Sequence, residues 1–198
     1  MGSFEATAES QVGLVTDRAE LERLASGADP LTPAECMRRA QRAAAALDLA
    51  ALDRTSAGDA VLLWRSDASE AWLNLWWQPR DTGFHDHDGS CVGVYVIEGT
   101  ARNEGLMIGE PRLVNEYGPG DCFAFPGNGI HRMEHEAGAV TIHVYSPPIR
   151  SIGEYELEDG ALRRRPVGPD EPSAASPHLL ATVNAAGTSR RSSRPARR

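Results

Sequence analysis

Phe84-His85-Asp86-His87-Asp88-Gly89-Ser90-Cys91-Val92-Gly93-Val94-Tyr95-Val96-Ile97-Glu98-Gly99 holds two extended pieces, residues 84–87 and the β-rich run 92–97. Side chains on a strand alternate with a period of two, so His85 and His87 leave one face together and form a chelating pair. The answering imidazole lies downstream, His131 in Pro126-Gly127-Asn128-Gly129-Ile130-His131. Supplied from a neighbouring strand, it closes three positions around one metal ion and leaves the rest open.

The surrounding chain has the same extended character. Short β-rich runs at 61–65, 72–77, 112–114, 122–125 and 139–145 are each bounded by Gly, Pro, Asp or Asn turn residues, with no helical stretch between them. Many closely spaced strands predict an all-β core, an antiparallel sandwich or barrel, over residues 59–168. Near its end Asp159-Gly160 forms a two-residue hairpin turn between 155–157 and 162–165. Residues 1–15 lack periodicity and are expected to be flexible, whereas 16–58 is a helical segment with two starts. Asp17 with Glu20 has the capping-box spacing, and Leu21 and Leu24 give an apolar face. Thr32, Pro33 and Glu35 begin a second helix expected to run to about Ala51, with Met37, Ala40, Ala44 and Leu47 as its apolar stripe. Residues 169–198 bury too little to fold and are read as a disordered, arginine-rich tail.

Composition removes several classes of function. The 198 residues carry a net charge of -8, and all 20 basic residues are arginine, clustered partly at the end, so the body of the chain is more acidic still. That argues against a nucleic-acid-binding domain. Cys36, Cys91 and Cys122 are widely spaced and odd in number, which indicates neither a disulfide framework nor a structural zinc site. They are read as reduced thiols in a cytoplasmic protein. No apolar window reaches the length of a membrane span and the first residues do not form a secretion signal. A monomer is the default.

The motifs together resemble the cupin family, in which H-x-H is followed by a glutamate and answered by a histidine after a G-D-x-x-x-x-P segment. Gly120-Asp121-Cys122-Phe123-Ala124-Phe125-Pro126 before His131 matches that second motif, and Gly99 matches the glycine of the first. Val92 stands at the glutamate's place, so the carboxylate is missing. The resemblance implies a jelly-roll β-barrel with the N-terminal helices packed against it. Three histidines without the carboxylate narrow the likeness, and about residues 60–165 resemble the cysteine dioxygenase family. The resemblance rests on His85-Asp86-His87, Glu98-Gly99, His131-Arg132-Met133-Glu134 and Thr141-Ile142-His143-Val144-Tyr145-Ser146-Pro147-Pro148.

That resemblance implies that His85, His87 and His131 bind Fe(2+), and that Tyr145 and His143 are catalytic, with Thr141 in place of the family's usual serine. It also implies that Arg65 clamps the substrate carboxylate beside Tyr145, and that L-cysteine and O2 are converted to cysteine sulfinate. The residues themselves are compatible with these roles. Residues 141, 143 and 145 share a strand face, so a hydroxyl–imidazole–phenol chain can form, and Arg65 ends an apolar strand where a buried guanidinium needs an anion. Cys91 points away from the face of Val92, so no thioether to Tyr145 is expected. Two alternatives remain open: a dioxygenase of 3-mercaptopropionate or another small mercapto acid, and a metal-binding cupin without catalysis.

Overall fold

The computed structural model describes residues 6–55, 59–106, 113–158 and 161–167. The chain opens with β1 (Ala6–Thr7), α1 (Arg18–Ala25) and α2 (Pro33–Ala45). The strands β2 (Ala60–Arg65), β3 (Glu70–Trp76), β4 (Arg80–Asp81), β5 (Phe84–Asp86), β6 (Cys91–Glu98) and β7 (Ala101–Leu106) follow. After them come β8 (Leu113–Tyr117), β9 (Cys122–Phe125), β10 (Ile130–His135), β11 (Ala139–Ser146), β12 (Ile152–Glu158) and β13 (Ala161–Val167). They form two sheets, ordered β1-β2-β3-β11-β6-β9 and β13-β12-β5-β10-β7-β8, with β4 added to β10. The expected closed barrel is corrected to two facing sheets, because no strand ladder among the described residues joins their edges. Connections from one sheet to the other run through Pro126 and through Pro147-Pro148, which have no N–H with which to continue a ladder.

The helices cover the outer face of the first sheet. Asp17 caps α1 by accepting from the Glu20 N–H at 2.9 Å, and Thr32 and Glu35 cap α2 reciprocally. α2 ends at Ala45, short of the expected Ala51, because the chain turns back there: Thr16 N–H donates to Ala46 O at 2.9 Å and Asp48 N–H to Leu14 O at 2.8 Å. The buried stripe of α2 is Cys36, Ala40 and Ala43, one step round from the expected one. Gly93 on β6 is the cause, since a Cβ there would stand 2.0 Å from the Met37 backbone nitrogen. Helix backbone therefore lies directly on strand backbone, and only small side chains fit at the crossing. Leu14, Leu21, Leu24, Leu73, Ile142 and Val144 pack around it. Each such side chain contributes about 1.5–3 kcal/mol relative to exposure.

β11 is buried along all eight residues, because its other face looks into the space between the sheets. There Trp72, Val92, Val94, Val96, Phe123, Met133 and Tyr145 form a second apolar cluster. Residues 6–15 belong to the segment expected to be flexible, and part of that segment is seated against the fold. β1 pairs in parallel with β2, and Leu14 is fully buried, an anchor that a lone leucine does not announce through periodicity. The Asp159-Gly160 turn and the tail 169–198 lie outside the described residues, while β12 and β13, on either side of that turn, pair antiparallel.

Candidate metal centre

β5 and β10 meet at a single register pair, His85 opposite His131, and this brings the early and late histidine motifs together. His85, His87 and His131 are all buried, and one ring nitrogen from each lies within 4.8 Å of the others. The Nε2 atoms of His87 and His131 are 3.5 Å apart. His85 Nδ1 lies 3.0 Å from Gly83 O, and a carbonyl only accepts, so that nitrogen carries the proton. His131 Nδ1 likewise donates to Asn103 Oδ1 at 2.7 Å. Both rings thus turn an Nε2 lone pair inward. Burial holds His85 below the ordinary histidine range and His131 well below it, so both are neutral at pH 7. Converging imidazole lone pairs repel one another unless a cation sits among them. The donor set fits a divalent transition metal, and His85, His87 and His131 would hold it with nitrogen alone. Val92, where a carboxylate ligand was expected to be missing, is buried among the apolar side chains.

Tyr145 stands beside this cluster, its ring centroid 5.2 Å from that of His87. Its hydroxyl and His143 Nδ1 are 3.0 Å apart. Burial, and after it the nearby charge of Glu70, pushes the phenol up from its ordinary range, so it keeps its proton within hydrogen-bond reach of the imidazole. Thr141 does not extend the chain. Its Oγ1 accepts from Trp76 Nε1 at 3.0 Å, while His143 Nε2 meets no protein partner among the described residues. The expected three-member chain is therefore a pair. Trp76 takes the hydroxyl from the diagonal position across β3 and β11, which Trp72-Leu73-Asn74-Leu75-Trp76-Trp77 does not reveal when read only as an apolar run.

Arg65 lies in the same cross-strand row as Tyr145: Arg65 pairs with Glu70, and Glu70 with Tyr145. Its side chain is 46% exposed rather than buried, and Nε donates to Glu70 Oε2 at 2.8 Å. The anion that the guanidinium was expected to need is thus already supplied by the chain. Glu70 is 1% exposed, and its second oxygen accepts from Ile149 N–H at 3.1 Å. Sequence reasoning missed it; the available signal was a carboxylate five residues after Arg65, across a turn. Cys91 faces the helices, with Sγ 3.7 Å from that of Cys36, on the opposite side of β6 from Val92.

Two facing sheets around a buried group of three imidazoles define a metal-binding β protein whose chelate leaves positions for further ligands. The family model described as cysteine dioxygenase type I matches residues 46–158. The chain belongs to that family, and with the three-histidine centre this makes it a metal-dependent dioxygenase of the thiol-oxidising type.

Among solved structures, KdgF from Halomonas sp. is 21% identical, over 43% of this chain and 76% of that chain, with a TM-score of 0.38. A Bacillus halodurans protein is 16% identical over 53% and 76% of the two chains, with a TM-score of 0.40. Oxalate decarboxylase from Bacillus subtilis is 22% identical over 41% of this chain and 22% of that one, at 0.38. The comparison with curated proteins found no match. Among the described residues no helix is long and apolar enough to cross a membrane.

Proposed function

We propose that the protein oxidises L-cysteine to cysteine sulfinate with O2, using Fe(2+) held by His85, His87 and His131. The observation that carries this reading is the all-imidazole chelate set against the Tyr145–His143 pair. What ferrous iron supplies in that position is a Lewis-acidic centre for a thiolate and the electron chemistry that ground-state O2 requires. The reaction balances without a reductant, since thiol and O2 together contain every atom of the sulfinic acid.

The chain's own groups bind and orient. Arg65, steadied through Nε by Glu70, turns its remaining guanidinium N–H groups to the substrate carboxylate, for which a fork of parallel donors is the geometric match. Tyr145 keeps its phenolic proton and offers it beside the reacting sulfur, and His143 Nδ1 fixes the direction of that hydroxyl. Phe125 stacks on His131 at 4.5 Å and, with Val92 and Val94, walls the chelate with apolar surface that excludes water. Thr141 serves by holding Trp76 rather than by relaying a proton.

The test is oxygen uptake by the purified protein loaded anaerobically with ferrous iron, given L-cysteine or 3-mercaptopropionate, with the product identified by NMR. Stoichiometric cysteine sulfinate, abolished by His131→Ala, is the expected result. Turnover with 3-mercaptopropionate alone would transfer the assignment to that mercapto acid, and no uptake with either thiol would overturn it.

A further inference from the structure

Asp86 separates the two histidines of the H-x-H pair, and its side chain leaves the opposite face of the strand. There it receives a dense set of donors. Arg164 on β13 donates from Nε to Oδ2 at 2.7 Å and from Nη2 to Oδ1 at 3.0 Å. The Tyr155 hydroxyl on β12 donates to Oδ2 at 2.6 Å, and the N–H groups of Gly153 and Asp88 donate to Oδ1 at 3.2 and 2.9 Å. Arg164 Nη2 also reaches Asp88 Oδ1 at 3.1 Å. One guanidinium therefore grips the residue before His87 and the residue after it.

The backbone is arranged to admit this grip. Asp88 has φ 51, in the left-handed region, and Ser151 Oγ holds its second oxygen at 2.6 Å. A Cβ at Gly153 would stand 2.2 Å from Arg164 Nε, so glycine is what lets the side chain lie flat across β12 to reach β5. β5 itself is three residues long, with one register pair to β10 and three to β12. The strand bearing His85 is thus held mainly by the C-terminal hairpin, and His87 lies just beyond the end of its ladder.

We propose that Arg164 is a positioning residue for the metal centre: by clamping Asp86 and Asp88 it aims the His87 imidazole at His85 and His131. This rests on the reading of those histidines as metal ligands. It makes the docking of the β12–β13 hairpin and the binding of metal two sides of one equilibrium, each strengthening the other. Groups that orient a ligand typically alter metal affinity about 10- to 100-fold when removed.

The experiment is calorimetric and optical titration of the metal-free full chain with Co(II), comparing wild type, Arg164→Gln, Arg164→Lys and Asp86→Asn, with the thermal unfolding of each metal-free protein recorded alongside. Co(II) binding about 10- to 100-fold weaker in Arg164→Gln is expected, together with a changed visible spectrum. Loss in the Arg164→Gln/Asp86→Asn double variant no greater than in either single variant is expected as well. Hydrogen exchange in β12–β13 should slow on adding Co(II) to wild type and not in Arg164→Gln. Arg164→Lys keeps the charge but not the fork, and decides the matter if the glutamine variant unfolds. Wild-type affinity and spectrum in the folded Arg164 variants, with only the melting temperature lowered, would overturn the positioning role alone. Wild type that takes up no Co(II), or uptake that survives His131→Ala, would overturn the metal-centre reading beneath it.

Discussion

A carboxylate buried as deeply as Glu70 is destabilising by several kcal/mol unless donors and charge meet it, and here Arg65 Nε and Ile149 N–H meet one oxygen each. Arg65 is consequently held rather than loose. Glu70→Gln should release it toward solvent and raise KM for cysteine about tenfold, equivalent to ~1.4 kcal/mol, with little change in kcat, as steady-state oxygen-uptake kinetics can check. Tyr145→Phe keeps the ring against His87 and removes the proton. It should lower kcat by about 10²-fold or more while leaving Co(II) affinity unchanged, a split that separates proton donation from metal binding. At this scale the sequence reveals groups whose meaning lies in local spacing, His85 with His87 and His143 with Tyr145. It conceals those whose meaning is a meeting across distance. Glu70 meets Ile149 from 79 positions away and Asp86 meets Arg164 from 78, and neither pair leaves a periodic trace.

Elements are positioned by what they can approach. α2 could present either of two apolar stripes at helical spacing, and the choice between them is made by Gly93 on another element, so the second helix was legible while its facing was not. Gly93→Ala should force α2 off β6 and cost about 1–3 kcal/mol or more, measured by urea unfolding. β10 offers a different test in His135, which is buried and stacked on Trp76 with centroids 3.8 Å apart. Burial, and to a lesser degree Arg80, pushes that imidazole down to about 3 from 6.5. Between those two values the unfolded chain binds a proton that the folded protein refuses. Stability must therefore fall as pH falls through that window, by up to ~1.4 kcal/mol per pH unit for this group. His135→Phe preserves the stack and should flatten the dependence by one proton in urea titrations of metal-free protein from pH 7 to 3.5.

For the whole molecule, a ligand that binds only the folded state adds RT ln(1 + [L]/Kd), ~2.7 kcal/mol at a hundredfold excess over Kd. The melting temperature should rise with Co(II) or Fe(II) concentration, return on adding a chelator, and not respond in His131→Ala. Two sheets with a helical cover were legible because turn residues punctuate every strand. Whether the edges of those sheets close was not, since closure depends on which strands meet and how far each ladder runs before a proline ends it.

β11 has no face turned to solvent, and this limits the kinds of change its sequence can absorb. Its odd-numbered members Thr141, His143 and Tyr145 furnish the chamber, while Val140, Ile142 and Val144 lie under the helices. Deleting or inserting one residue would exchange the two sets, carrying Ile142 into the chamber and His143 beneath α2. Descendants of this gene can therefore retune the chamber by point replacement, but length variation has to be absorbed in the connections before Ala139 and after Ser146.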